Sequence, residues 1–302
     1  MNSMAQPLLT RITRMVVITT SLLVLSACEA ILGSRVTPTA ILPSATPAPP
    51  TPTPPPLAAR VNGQYITLAE FESELGRFQS AQIELGKSIP SEEAKQTVLD
   101  DLIDLELLAQ GAHEAGYECP DSELASRHQA LVDALGDEAA LSKWMSENGY
   151  TDESLSVALR RAIDAAWMRD KIIADVSTST EQVHVRQILT YNAGEADEIK
   201  AQLDGGQDFN QLAAIYDPVA RGELGWVPQG YLLDQSADEA VFSTPVGSYS
   251  SVIASKAGYH LFFIVERGDR PLSPDALLAL QEKSLLSWLD EKRVKSDIVQ
   301  FP

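Results

Sequence analysis

The chain has 302 residues, which is enough for about two domains. Apolar residues make up 44% of the chain, a share that suits ordinary hydrophobic cores and argues against a polytopic membrane protein. Its 23 basic and 42 acidic residues give a formal charge of −19. Nucleic acid needs a basic face and anionic lipid attracts basic segments, so this charge argues against both as partners of the protein surface.

The N-terminal sequence is typical of a targeting segment, and residues 1–27 are predicted to be a signal peptide. Arg11 and Arg14 precede an apolar run of eleven residues, Met15–Leu25, which is too short for a span of about 20 residues. The run ends in Leu25-Ser26-Ala27-Cys28, which resembles a bacterial lipobox. The resemblance implies a lipidated Cys28 and an extracytoplasmic protein anchored to the outer face of the cell membrane or to an outer membrane. An ordinary signal peptide followed by an unrelated cysteine is the alternative.

Residues 28–57 are predicted to be a disordered linker behind the lipidated cysteine. Nine of the 18 prolines lie between Pro38 and Pro56, mixed with threonine, serine and alanine. Such a segment buries too little apolar surface to offset its ordering entropy. As extended polyproline II it would reach about 60 Å, which makes it a stalk.

The cysteines and histidines predict neither a disulfide nor a metal site. Lipidation of Cys28 would leave Cys119 as a lone thiol. The four histidines are scattered and form no zinc pattern. No metal and no cofactor is therefore expected.

Residues 58–178 are predicted to form a helical module. Alternating residues on both sides of Asn62-Gly63 indicate a hairpin. Thr67 and Glu70 have the spacing of a capping box, which predicts a helix from Thr67 to about Gly86. The starts of the following helices are predicted at Ser91, Ser122, Glu138 and Thr151.

The order of motifs in this module resembles the N-terminal chaperone domain of SurA-type and PrsA-type foldases. The matching pieces are Val61-Asn62-Gly63, Ile66-Thr67, Leu102-Ile103, Leu107-Leu108, Ala112 and Gly116. In that family the helices pack with a helix that follows the catalytic domain. Residues 269–302 offer one, because Ser273 and Pro274 are typical of a helix start and the helix can run to about Lys295.

Residues 179–268 resemble parvulin-type peptidyl-prolyl cis-trans isomerases, the PpiC or rotamase type. Four motifs occur in the family's order, at Gly222–Gly225, Ala240–Phe242, Pro245–Ser250 and Gly258–His260. The resemblance implies an α+β fold, in which a small antiparallel sheet with flanking helices is attached to the α-helical module.

The resemblance also implies four catalytic positions. His260 matches the family's C-terminal histidine, and Gln187 stands where a second histidine is usual. Asp217 matches a cysteine or aspartate near the reacting amide, and Ser255 matches a threonine. His184, three residues from Gln187, is expected on the opposite face of its strand.

The peptide-binding pocket is predicted from the same resemblance. Leu232 replaces a pocket methionine, and the pocket phenylalanine maps near Ala237. Leu224, Trp226 and Phe242 complete the predicted pocket, with a core position as the alternative for the two aromatic residues.

Three functions remain open at this point. The first is an isomerase that acts on X-Pro bonds of unfolded or partly folded secreted polypeptides. The second is a catalytically degenerate domain that holds peptides, which Gln187 and Ala237 favour. The third is a membrane-tethered scaffold for a single partner. Turnover of an X-Pro peptide separates the first from the others.

Overall fold

A computed structural model describes residues 55–301. The predicted signal peptide, Cys28 and nearly all of the proline-rich linker lie outside these residues. The chain divides into two compact units, one of residues up to Ala166 together with those from Lys295 on, the other of Trp167–Val294. Within the described residues, no helix is both long and apolar enough to cross a membrane.

The first unit combines a three-stranded sheet with helices. The strands are β1 (Leu57–Val61), β2 (Gln64–Thr67) and β7 (Ile298–Gln300), in the order β2-β1-β7. The helices are α1 (Leu68–Glu84), α2 (Ser91–Glu114), α3 (Asp121–Leu135), α4 (Glu138–Glu147) and the larger part of α5 (Asp152–Ala174). Asn62 and Gly63 have φ angles of 50° and 89°, as the tight turn of the predicted hairpin requires.

The helix starts follow the predicted signals with two differences. Thr67 Oγ1 accepts a hydrogen bond from Glu70 N at 3.2 Å, as predicted. The Glu70 carboxylate does not close a capping box, because it forms an ion pair with the partly buried Arg161. Helix α2 begins at Ser91, but its cap residue is Pro90 and no side chain caps it.

The second unit is built on an antiparallel sheet in the order β4-β3-β6-β5. Its strands are β3 (Ser179–Thr190), β4 (Glu223–Pro228), β5 (Ile253–Ser255) and β6 (Gly258–Pro271). Its helices are α6 (Ala193–Asp204), α7 (Phe209–Tyr216), α8 (Gln235–Ser243) and α9 (Pro274–Lys295). The helices and small antiparallel sheets confirm the predicted α+β class.

Each face of this sheet carries its own apolar cluster. Val183, Phe262 and Ile264 pack with residues of α8, and we call this the α8 face. Ile188 and Leu261 pack with residues of α6 and α7 on the other side, the α6–α7 face. Residues opposite each other on paired strands share a face, so the pairing of β3 with β6 assigns side chains to one face or the other.

The C-terminal segment is divided between the two units. Residues 269–302 are expected to pack on the helical module of residues 58–178; the part up to Val294 groups with the second unit, where Gln281 Nε2 donates to Ile173 O of α5 at 3.4 Å. Only the end of the chain joins the first unit, where β7 pairs with β1. The division between the units also falls earlier than residue 178, inside α5.

Candidate functional site

Three of the four predicted catalytic residues form a hydrogen-bonded row on the second unit. Ser255 Oγ lies 2.7 Å from His260 Nε2, and His260 Nδ1 lies 3.3 Å from Gln187 Oε1. The strands fix this arrangement: Gln187 is on β3, His260 is opposite Leu189 on β6, and Ser255 is on the neighbouring β5. The row therefore crosses three strands.

The row lies on the α8 face. Gln187 is directly opposite Phe262, a core residue of that face. The His260 ring stacks on the Phe262 ring, with 5.4 Å between centroids and 10° between planes. The imidazole therefore has a rigid apolar support below it and hydrogen-bond partners at both nitrogens.

The hydrogen bonds imply one tautomer of His260. An amide oxygen can only accept, so His260 Nδ1 donates to Gln187 Oε1. Nε2 is then an acceptor, and the Ser255 hydroxyl donates to it. Burial lowers the pKa of His260, although the negative charge of Asp234 partly opposes that effect. The imidazole is therefore neutral at pH 7 and keeps this donor–acceptor polarity.

Asp217, the fourth predicted catalytic residue, shapes a loop. Its Oδ1 accepts from the backbone N–H groups of Val219 (3.3 Å) and Ala220 (2.9 Å), and its Oδ2 accepts from Gly222 N at 3.1 Å. The N–H groups of Ala220 and Gly222 in particular hold the pKa of Asp217 below its usual value. A carboxylate occupied by three backbone donors is poorly suited to act as a base.

This loop is tied to the row through Gly222. Gln187 N donates to Gly222 O at 2.7 Å. Gly222 has a φ of +72°, and a Cβ atom there would lie 2.1 Å from the Gln187 carbonyl oxygen. Asp217 therefore supports the site indirectly, because it stabilises the turn whose residue Gly222 accepts a hydrogen bond from the backbone N–H of Gln187.

Two predicted pocket residues lie on the α8 face. Leu232 packs against the apolar cluster that contains Phe262. Phe242 packs there as well, and its ring and carbonyl are engaged by Arg267, whose guanidinium carbon is 5.6 Å from the ring centroid. Leu232 can contribute to a pocket beside His260, whereas Phe242 has the core role named as its alternative.

Ala237 is not a pocket position with a missing ring. It is 4% exposed, belongs to the core of the α8 face, and donates its backbone N–H to the cap residue Asp234. A phenylalanine at this position would overpack that core. The expectation of a lost pocket ring at Ala237 is therefore wrong.

The structure places Trp226 on the other face of the sheet from the row. Val227 belongs to the α8 face, so its strand neighbour Trp226 points to the α6–α7 face. There Trp226 stacks on His184 at 5.4 Å and lies under Arg270 at 4.1 Å. Leu224 is an extra residue in the β3–β4 pairing and is 38% exposed.

Sequence reasoning missed two aspartates beside the site. Asp234 caps α8 and is the charged group that acts on His260. Asp238, only 7% exposed, accepts from Gly230 N at 2.9 Å and Leu232 N at 3.4 Å, so it holds the loop that carries Leu232. The cap signal of an aspartate just before a helix was present in the sequence.

Among residues 55–301, no group of three histidine, cysteine, aspartate or glutamate side chains is placed to hold a metal ion.

Comparison with known proteins identifies two domains. A SurA-like N-terminal domain profile matches residues 53–153, and a PPIC-type PPIase domain profile matches residues 171–268. The second match contains all three residues of the row.

The chain is similar to individual proteins named as foldases and chaperones. The chain is 26% identical to foldase protein PrsA of Geobacillus kaustophilus over 185 residues, 58% of this chain and 64% of that protein. It is 34% identical to chaperone SurA of Alcanivorax borkumensis over 139 residues, 41% of this chain and 30% of that protein. The chain thus spans less than two thirds of the length of these relatives. A crystal structure of PrsA from Bacillus cereus aligns with 78% of this chain and 86% of its own, at 20% identity and a TM-score of 0.43.

Proposed function

We propose that this chain, which carries a SurA-like N-terminal domain followed by a PPIC-type PPIase domain, is an extracytoplasmic, lipid-anchored foldase that isomerises X-Pro bonds in secreted polypeptides. The observation that carries the proposal is the row of Ser255, His260 and Gln187 on an apolar sheet face inside the PPIase match. The anchor is proposed from Cys28 and its flanking motif.

The chemistry needs no nucleophile. Rotation about the X-Pro bond is opposed by a barrier of about 18–20 kcal/mol, because amide resonance must be broken. A site accelerates the reaction by binding the twisted amide better than either planar form. Leu232, which is partly buried against the core that contains Phe262, offers apolar surface that suits a proline ring, and the neutral polarised row supplies fixed dipoles in a partly dry setting.

The test is cis–trans exchange of a short X-Pro peptide, measured by NMR with the full chain in detergent. His260→Ala removes the centre of the row and should abolish the catalysed exchange. Val294→Ser, at an exposed position outside the row, is the matched control and should leave it unchanged. Equal exchange by wild type and His260→Ala would refute the proposed site.

A peptide-holding chaperone without turnover is the second candidate. Gln187 favours it, because an amide cannot change charge near neutral pH as histidine can. In that case the chain suppresses aggregation of unrelated unfolded proteins while X-Pro exchange stays at the uncatalysed rate. Gln187→His would then be expected to create or raise exchange activity.

A further inference from the structure

A second concave surface lies beside the candidate site, within the same unit. It is a cavity of about 710 Å³ between the loop that follows β4, the first turns of α8, and α9. The loop contributes Gln229, Gly230 and Leu233, α8 contributes Glu239, and α9 contributes Lys283. A cavity of this size suits several side chains of a bound polypeptide.

The wall of this cavity is held from two sides. The buried Asp238 accepts from Gly230 N with both carboxylate oxygens at 2.9 Å. Lys283 Nζ donates to Gly230 O at 3.1 Å. Gly230 has a φ of +85°, a backbone conformation that favours glycine, so the turn takes glycine. The wall is therefore formed before any ligand arrives.

One turn of chain, residues 232–235, borders both the cavity and the catalytic row. Leu232 packs toward Phe262, and Asp234 acts electrostatically on His260. Leu232 itself also lines the cavity, together with Leu233 and Gln235. A polypeptide bound with its proline near His260 can therefore continue over this turn into the cavity.

The lining indicates the chemistry of the occupant. Leu233 is 93% exposed, an apolar side chain with no core to join. Glu239 is exposed and receives one hydrogen bond, from Gln235 Nε2 at 2.8 Å. Asp238 and Glu239 contribute two carboxylates to the lining, and Lys283, which donates to the Gly230 carbonyl, contributes one positive charge, so the lining keeps an excess of one negative charge.

We propose that this cavity binds the client segment next to the X-Pro bond, taking an apolar side chain against Leu233 and a lysine or arginine near Glu239. The assignment rests on the proposed function, because it takes an X-Pro polypeptide as the ligand. It adds a preference that the row alone does not supply, namely for basic and apolar residues that flank the proline.

The experiment compares two labelled proline-containing peptides of twelve residues, one with Arg and Leu flanking the X-Pro bond and one with Glu and Ser. Dissociation constants are measured by fluorescence anisotropy with the full chain in detergent. We expect the first peptide to bind about three- to tenfold more tightly, the scale of a partly buried side chain. Leu233→Ser and Glu239→Lys should each reduce that preference, with Glu239→Gln as the conservative variant. Val294→Ser, equally exposed but outside the cavity, should retain it.

A parallel measurement of cis–trans exchange on a four-residue X-Pro peptide distinguishes a failure of the cavity assignment from a failure of the proposed isomerase function. Catalysed exchange without any flank preference overturns the cavity assignment and leaves the isomerase in place. A flank preference that Leu233→Ser removes, without catalysed exchange, supports the cavity and overturns the isomerase. A preference that survives both Leu233→Ser and Glu239→Lys also overturns the cavity assignment.

Discussion

The substitution Gln187→Glu tests the geometry of the row most directly, because it places a carboxylate where the amide oxygen now lies, 3.3 Å from His260 Nδ1. Two unit charges at that distance attract each other by about 5 kcal/mol at an effective dielectric constant of about 20. Solvent screening and the cost of burying the carboxylate reduce this value. Since a pKa change of one corresponds to about 1.36 kcal/mol, even a third of the attraction raises the pKa of His260 by about one.

The assay is an NMR titration of the His260 imidazole in wild type, Gln187→Glu and Gln187→Met. The wild-type midpoint is expected below the ordinary value of 6.5, because burial lowers the pKa. The Gln187→Glu midpoint should lie above that value. Gln187→Met, which removes the acceptor without adding charge, should keep a lowered midpoint. Identical midpoints in wild type and Gln187→Glu would refute the hydrogen bond between Gln187 and His260.

The same change should invert the dependence of stability on pH. A lowered folded-state pKa means that wild type loses stability as pH falls below about 6.5 toward the folded value, since the unfolded state binds the proton more readily. A raised pKa in Gln187→Glu adds stability that is fully present below about 6.5 and is lost as pH rises through the folded value. Urea unfolding at several pH values between about 5 and 8 measures both slopes.

Two further substitutions and one deletion test other parts of the account. Cys28→Ala should release the protein from the membrane fraction or block its processing, since two acyl chains suffice for a stable anchor. A Cys28→Ala variant that stays with the membrane after a high-salt wash would contradict the lipid anchor. Asp217→Asn should loosen the loop that supports Gln187 and lower kcat/KM by up to about 100-fold, the cost of misplacing a site by about 1 Å, while leaving peptide binding detectable. Deletion of residues 296–302 removes β7 and should lower the thermal stability of the first unit. The NMR signal of His260 in the second unit should stay unchanged, and its loss would contradict the division into two units.

Local signals predicted local structure well. The hairpin turn at Asn62-Gly63 and the cap at Thr67 depend on φ angles and on donors within three residues, which a sequence reports directly. Gln187, Ser255 and His260, which family resemblance implies as catalytic positions, are joined by hydrogen bonds in the structure. Their roles in catalysis stay a prediction.

Failures occurred where position depends on register or on distant packing. The extra residue Leu224 shifts the pairing of β4 with β3, and a shift of one residue moves a side chain to the other face, so the face that Trp226 occupies depends on a bulge that the sequence does not mark. The burial of Ala237 depends on how α8 packs against the sheet. The start signals at Ser273 and Pro274 predict the helix of residues 274–295, but they do not name the residues against which it packs.

The pairing of β7 with β1 has a consequence for biosynthesis. Arg60 and Asp297, which form an ion pair at this junction, are separated by 237 positions in the chain. While the protein is being made, β1 emerges early and keeps one edge without its partner until the whole second unit has followed. The second unit needs no such late segment for its own sheet and can fold first. The first unit therefore completes its sheet last, and during that interval the nascent chain exposes an open strand edge of the kind that other unfolded chains can join.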